Sequence, residues 1–245
     1  MTARRRFYRE VTVNAVPSGD GGSAGYSVLL DGKPVRTPAG AMLVLPTAML
    51  AEAIVREWGD QGDTLRPEAM VLTKLANTAI DRIGPNRHEA IAQILAFAKS
   101  DVLCYRAETP KELVERQKQE WDPILQWAET RYGAALVCGA GIAFIEQSPA
   151  ALAALQRAMA ALDDFTLAGL YSATPLLGSA VVTLALLDGR LASGQAFAAA
   201  HLDEIHQTER WGQDSEAQKL QANKIKELAE IARFFVLLGG SSGTV

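Results

Sequence analysis

Residues 26–58 read YSVLLDGKPVRTPAGAMLVLPTAMLAEAIVREW, and the spacing of the apolar residues changes partway along this stretch. Before Pro46 the apolar residues form short runs, separated by Asp31-Gly32 and by a Pro-Ala-Gly segment that are both typical of turns. After Pro46 they recur at helical spacing, and Thr47 occupies a favourable position for a helix N-cap. The stretch therefore predicts short β-strands followed directly by a helix.

The predicted strands belong together in one sheet. Asp31-Gly32 can supply the positive φ angles of a tight two-residue turn, which joins antiparallel strands. Residues 7–13, FYREVTV, alternate in polarity and predict one more strand before this turn. We therefore expect an antiparallel meander near the N-terminus.

The rest of the chain has helical periodicity. It begins after the polar segment GDQGDTLRP at residues 59–67. The last predicted helix runs from Asp214 to about Leu238 and has Leu220 and Phe235 on its apolar face. We expect an α+β protein, with a small N-terminal antiparallel β-rich domain that includes one helix at residues 1–66. A larger all-helical domain is expected to follow at residues 67–245.

Composition excludes several classes of function. The 245 residues are 49% hydrophobic. The chain has 24 Lys and Arg residues and 28 Asp and Glu residues, which give a net charge of −4 at pH 7. Because a nucleic-acid footprint needs a basic face, nucleic acid is not an expected partner. The run from Leu176 to Leu187 is too short and too often interrupted to cross a bilayer, so we expect no stable membrane insertion. Cys104 and Cys138 lack CxxC spacing, which favours reduced thiols in an intracellular protein.

Residues 201–214, HLDEIHQTERWGQD, concentrate side chains that often serve catalysis. A zinc helix of the HExxH type places its histidines four residues apart, whereas His201 and His206 are five apart and point about 140° away from each other. We therefore expect no metal and no cofactor. The alternative is a metal-dependent hydrolase that uses His201, Glu204, His206 and Asp214.

The same helix has a second set of residues on a common face: Glu204, Gln207, Thr208 and Trp211 lie within about 100° of one another. The simpler interpretation packs Trp211 against the core beside a solvated acid. The alternative is a recognition patch, because an aromatic residue flanked by polar groups is a common composition for binding another chain.

Several segments, taken in order, resemble the ATP-twelve family, the F-type ATP synthase assembly chaperones. The segments are RRFYREV at residues 5–11, EWGDQGDTLRPEAMVLT at 57–73, SDVLCYRAETPKELVERQKQEWDPILQWAETRYG at 100–133 and LDEIHQTERWGQD at 202–214. The resemblance implies a β-rich domain joined to a helical domain, without catalytic activity. It also implies that the chain binds the unassembled alpha subunit and shields its apolar interface until the beta subunit displaces it. We expect the chain itself to be a monomer.

The resemblance also implies which residues bind the partner. Glu204 is the leading candidate. The further matched candidates are Gln207, Trp211, Asp214, Trp58 and Arg106. For Trp58 the alternative is packing between domains, and for Arg106 it is a buried ion pair. The alanine-rich composition and the lack of an Arg- and Ser-rich extension favour a bacterial cytoplasmic member, or the mitochondrial matrix for a eukaryotic one.

Overall fold

A computed structural model describes residues 5–17, 24–212 and 215–239. Its N-terminal part is an antiparallel sheet of the strands β1 (Val11–Val16), β2 (Gly25–Leu30), β3 (Lys33–Pro34) and β4 (Val44–Leu45). The predicted turn between β2 and β3 is confirmed, since φ is 47° at Asp31 and 76° at Gly32. The antiparallel β-rich start of the chain is thus as the sequence predicts.

β2 is the centre of this sheet. It pairs with β1 in the register Val11↔Leu30, and both β3 and β4 pair with its other edge. The expected meander is therefore wrong for β4. After only two residues of β3 the chain turns back through the bridge Arg36↔Met42, which brings β4 beside Tyr26 and Ser27 of β2.

Ten α-helices follow the sheet within the described residues. They are α1 (Ala48–Gly59), α2 (Val71–Thr78), α3 (Arg87–Lys99), α4 (Lys111–Tyr132), α5 (Pro149–Ala160), α6 (Asp164–Leu177), α7 (Ala180–Leu187), α8 (Ser193–Ala200), α9 (Leu202–Trp211) and α10 (Ser215–Leu237). A π-helical segment, Ala79–Ile83, continues α2, and two short parallel strands, β5 (Tyr105–Arg106) and β6 (Gly139–Ala140), flank α4. The fold is α+β with a larger helical part, which confirms the predicted class.

Helices α6 and α7 form the centre of the helical part. Nearly every residue of α7 is buried, and α6 packs against α3, α7 and α10. The contact between α6 and α10 is close, because a Cβ atom added at Gly169 would overlap the Phe235 ring. Within the described ranges, no helix is both long enough and apolar enough to cross a membrane.

Side chains of α1 connect the sheet region to the helices. Thr47 caps α1 as predicted, accepting a hydrogen bond from the Leu50 amide, and its hydroxyl also donates to the Leu237 carbonyl at 2.6 Å. The Glu57 carboxylate accepts hydrogen bonds from the Leu72 and Thr73 amides at 2.7 and 2.9 Å, at the start of α2. The division into two domains at residue 66 stays a prediction.

Candidate functional site

One side of α9 is fixed against α4. The polar pairs between the two helices are Gln117–Asp203 at 2.7 Å, Arg116–Glu209 at 2.8 Å and Glu112–Arg210 at 2.8 Å. Among the ten residues of α9, Leu202 alone is buried. The helix therefore lies on the surface and is oriented mainly by polar contacts.

Gln117 is the buried member of these pairs. Its Oε1 atom accepts a hydrogen bond from the Ala107 amide at 2.8 Å, while its Nε2 atom donates to the Asp203 carboxylate. Its backbone carbonyl accepts a hydrogen bond from Arg106 at 3.1 Å. The position of α9 is therefore coupled to β5 through a side chain that has little freedom to move.

Next to this side, α9 carries an exposed stripe formed by Glu204, Gln207 and Trp211. The Glu204 side chain is 76% exposed, Trp211 is 87% exposed, and Gln207 is exposed as well. The interpretation that packed Trp211 against the core is therefore wrong. At this exposure the Trp211 ring is available to a partner instead of being packed against the core.

A groove separates α9 from α10 beside the α9 stripe. It encloses about 270 Å³. Its lining residues are Phe197, His201, Glu204, Ile205, Thr208, Glu209, Ala217, Leu220, Gln221 and Lys224. Leu220 is 60% exposed, whereas Phe235, on the same predicted apolar face, is buried. The groove thus combines an apolar rim with charged groups of both signs.

His201 lies at the base of this groove and holds two elements together. Its Nε2 atom lies 3.0 Å from the Leu176 carbonyl, in the last turn of α6, and its Nδ1 atom lies 3.1 Å from the Glu204 carboxylate. His201 therefore links the end of α6 to Glu204 in the first turn of α9.

The metal-dependent hydrolase is not favoured by this arrangement. His206 is half-buried, and its Nε2 atom has no hydrogen-bond partner among the described residues. Asp214, the last member of that hypothesis, lies outside the described residues. Within the described part of the chain, no group of three or more His, Cys, Asp or Glu side chains could hold a metal ion.

Trp58 lies in α1 and is not part of the α9 stripe. Its carbonyl accepts a hydrogen bond from the Tyr8 hydroxyl at 2.8 Å, and the two rings lie 5.5 Å apart. The indole is partly buried against the hydrophobic core. These contacts place Trp58 in the packing between α1 and the N-terminal segment.

Arg106 also makes internal contacts. Its side chain is only 15% exposed, and it pairs with Asp122 at 2.8 Å. The guanidinium lies 5.1 Å from the centre of the Trp121 ring and donates to the Gln117 carbonyl. Arg106 thus acts on α9 indirectly, because it contacts the residue that binds Asp203.

Sequence reasoning missed the α10 side of the groove. Leu220 and Lys224 are separated from Glu204 by the end of one helix and the start of the next, so only tertiary structure shows that they share a groove. The one available signal was the position of Leu220 at the start of the apolar face of α10.

Comparison with known proteins places the chain among chaperones. Residues 5–129 match the family model described as ATP12 chaperone protein. The mitochondrial protein atp12 of Schizosaccharomyces pombe is 28% identical over 234 residues, which cover 91% of this chain and 78% of the relative.

Solved structures agree with this match. The crystal structure of Atp12 from Paracoccus denitrificans has a TM-score of 0.88 and 36% identity, covering 96% of this chain and 98% of the other. A protein of Agrobacterium tumefaciens has a TM-score of 0.87 and 40% identity, covering 95% of this chain and 85% of the other. The chain belongs to the ATP12 chaperone protein family.

Proposed function

We propose that this chain is a non-catalytic assembly chaperone for F-type ATP synthase. It binds the unassembled alpha subunit, shields its apolar interface from aggregation and hands it to the beta subunit during assembly of the catalytic head. Membership of the ATP12 chaperone protein family supports this proposal. The structural observation that carries it is the exposed α9 stripe beside the groove between α9 and α10.

The need for a chaperone follows from the exposed surface of its client, the unassembled alpha subunit. Subunits of an alternating ring expose large apolar interfaces before assembly, and such surfaces aggregate unless another protein covers them. The chaperone must also bind more weakly than the final partner does, because otherwise it would not release its client. A stripe with one exposed tryptophan and one acid suits such a contact, since aromatic residues contribute strongly to binding while charges tune specificity.

The residues divide into two roles under this proposal. Glu204, Gln207 and Trp211 contact the client directly, since they are exposed on one side of α9. Trp58 and Arg106 position the elements around them through their internal contacts. Asp214 remains a candidate contact next to the stripe in sequence, outside the described residues.

The relatives support a proposal for the cellular compartment in which the chain acts. The S. pombe relative is mitochondrial by name, and the structural relatives come from bacteria. The proposal therefore applies to the bacterial cytoplasm and, for a eukaryotic chain, to the mitochondrial matrix. We propose that the chaperone acts as a monomer, which size-exclusion chromatography coupled to light scattering would test.

Light scattering of the isolated alpha subunit tests the chaperone function. Dilution of alpha alone should produce rising turbidity, and equimolar chaperone should suppress it. Addition of the beta subunit should then release the chaperone into the free fraction. If alpha aggregates equally fast with and without this protein, the proposal is wrong. A charge reversal at exposed Glu52 on α1, Glu52→Lys, serves as a control that should suppress turbidity like the unaltered chain.

A further inference from the structure

The two cysteines of the chain lie side by side on neighbouring strands. β5 and β6 pair in parallel with Tyr105 opposite Gly139, and the residues just before this pair are Cys104 and Cys138. The Cys138 sulfur lies 4.0 Å from the carbonyl oxygen of Leu103, the residue before Cys104. Neighbouring strands run about 4.8 Å apart, within the range of about 4.4–6.8 Å that Cα atoms span in disulfides.

The two thiols differ in exposure. Cys138 is exposed, whereas Cys104 is buried. An oxidant from solvent therefore reaches Cys138 first, because the Cys104 thiol is buried. This is the arrangement of a reactive thiol with an adjacent resolving thiol.

The surroundings also favour the thiolate at Cys138. The hydrogen bond from Cys104 and the Arg106 guanidinium, whose Nη2 atom lies 3.9 Å from the Cys138 sulfur, lower the pKa of Cys138 to about 6. Burial and the Asp122 carboxylate oppose this change without cancelling it. The same shared hydrogen bond, followed by burial, raises the pKa of Cys104. At neutral pH the negative charge therefore resides on the exposed sulfur.

We propose that Cys138 and Cys104 form a peroxide-reactive dithiol site, with Cys138 as the attacking thiolate and Cys104 as the resolving thiol. The Cys138 thiolate attacks one oxygen of hydrogen peroxide, the O–O bond breaks, and a sulfenic acid and hydroxide form. The Cys104 sulfur then attacks the sulfenic sulfur, the S–O bond breaks, and a disulfide and water form, with the thiol proton taken up by the hydroxide. Two electrons pass from the sulfur pair to the peroxide.

The site does not depend on the proposed client. The disulfide would join Cys138, in the segment after α4, to Cys104, the residue just before β5, on which Arg106 lies. Arg106 donates to the Gln117 carbonyl, and Gln117 in turn binds Asp203 of α9. Oxidation would therefore act on a residue that helps to hold α9 in place, without touching the α9 stripe.

The test uses the full chain, hydrogen peroxide near pH 7, thiol alkylation and peptide mass spectrometry. We expect both thiols to disappear together and a Cys104–Cys138 linked peptide to form within one molecule, reversed by dithiothreitol. In Cys104→Ser, dimedone should capture a sulfenic acid at Cys138. In Cys138→Ser, Cys104 should oxidise at least about tenfold more slowly than Cys138 does in the unaltered chain.

Two results would overturn the proposal. One is oxidation of Cys138 without any linked peptide, and the other is equally fast oxidation of Cys104 in Cys138→Ser. A serine variant that loses its helical circular dichroism signal has not folded and cannot be used. In that case the unaltered chain is treated briefly with peroxide in the presence of dimedone. Early label on Cys138 rather than on Cys104 supports the proposed order, and the reverse contradicts it.

Discussion

The Nδ1 atom of His201 lies 3.1 Å from the Oε2 atom of Glu204, one helical turn further along the chain. His201 is in turn held by the Leu176 carbonyl and by the Phe197 ring, whose centre lies 4.3 Å from that of the imidazole. The carboxylate is thus oriented at the edge of the groove while most of the Glu204 side chain remains in solvent. A residue placed this way is available to a partner and adds little to the stability of the fold.

Glu204→Lys should therefore impair client binding more than folding. An exposed ion pair contributes about 0–1 kcal/mol, so we expect the melting temperature to fall by no more than a few degrees. Binding of alpha should weaken by at least about tenfold, because the variant places a positive charge at the centre of the proposed interface. Circular dichroism melts and a binding titration measure the two effects. A large loss of helical signal would instead make Glu204 a structural residue.

Trp211→Ala should also separate binding from stability. The ring is 87% exposed, so its loss should change the free energy of unfolding by less than about 0.5 kcal/mol. An aromatic residue central to an interface contributes about 2 kcal/mol or more, which corresponds to roughly a 30-fold loss of affinity for alpha. Phe144→Ala is the matched control, since Phe144 is 73% exposed and lies between α4 and α5. Equal losses in the two variants would argue against a specific role for Trp211.

Glu57→Ala should destabilise the chain. The Glu57 carboxylate accepts hydrogen bonds from the Leu72 amide, the Thr73 amide and the Thr73 hydroxyl, at 2.7, 2.9 and 2.8 Å. The variant leaves these donors at the start of α2 without their acceptor, which we expect to cost about 1–3 kcal/mol in denaturant unfolding. Glu52→Ala, at an exposed position of the same helix, should change stability by less than about 0.5 kcal/mol. Similar unfolding midpoints for the two variants would show that these hydrogen bonds matter little.

Asp101 should make stability depend on pH. It is fully buried and accepts hydrogen bonds from the Leu103 and Val181 amides. Burial raises the pKa of this carboxyl to about 6, so the folded chain binds the proton more tightly than the unfolded chain does. The resulting stabilisation is present below the unfolded pKa of about 3.9 and is lost as pH rises through 6.

Asp101→Asn removes this titration. The unaltered chain should gain stability relative to Asp101→Asn at low pH, so the difference between their free energies of unfolding should be about 1–2 kcal/mol larger at pH 5 than at pH 7.5. Urea unfolding of both proteins at the two pH values gives this difference. A difference independent of pH, or one of the opposite sign, would contradict the raised pKa.

Local sequence signals predicted much of the fold. The change of period after Pro46, the Asp31-Gly32 turn and the Thr47 cap depend on neighbouring residues, and the structure confirms all three. The position of β4 was not predictable in this way. It depends on which edge of β2 is free and on how the chain turns back through Arg36 and Met42.

The candidate site was likewise predictable only in its local features. Helical spacing alone places Glu204, Gln207 and Trp211 on one side of α9. Spacing does not say whether that side faces solvent, because exposure depends on where α4 and α8 pack, and Trp211 was accordingly placed in the core by the simpler interpretation. Helical spacing likewise places Leu220 and Phe235 on one apolar face of α10, and it does not say that only Phe235 is buried.

A binding titration with alpha and beta offered separately tests the central claim most directly. Immobilised chain should capture isolated alpha and not isolated beta, and Glu204→Lys should lose alpha while Glu52→Lys keeps it. Equal capture of both subunits, capture of neither, or alpha binding by Glu204→Lys at the unaltered affinity would contradict the claim that the α9 stripe recognises the unassembled alpha subunit.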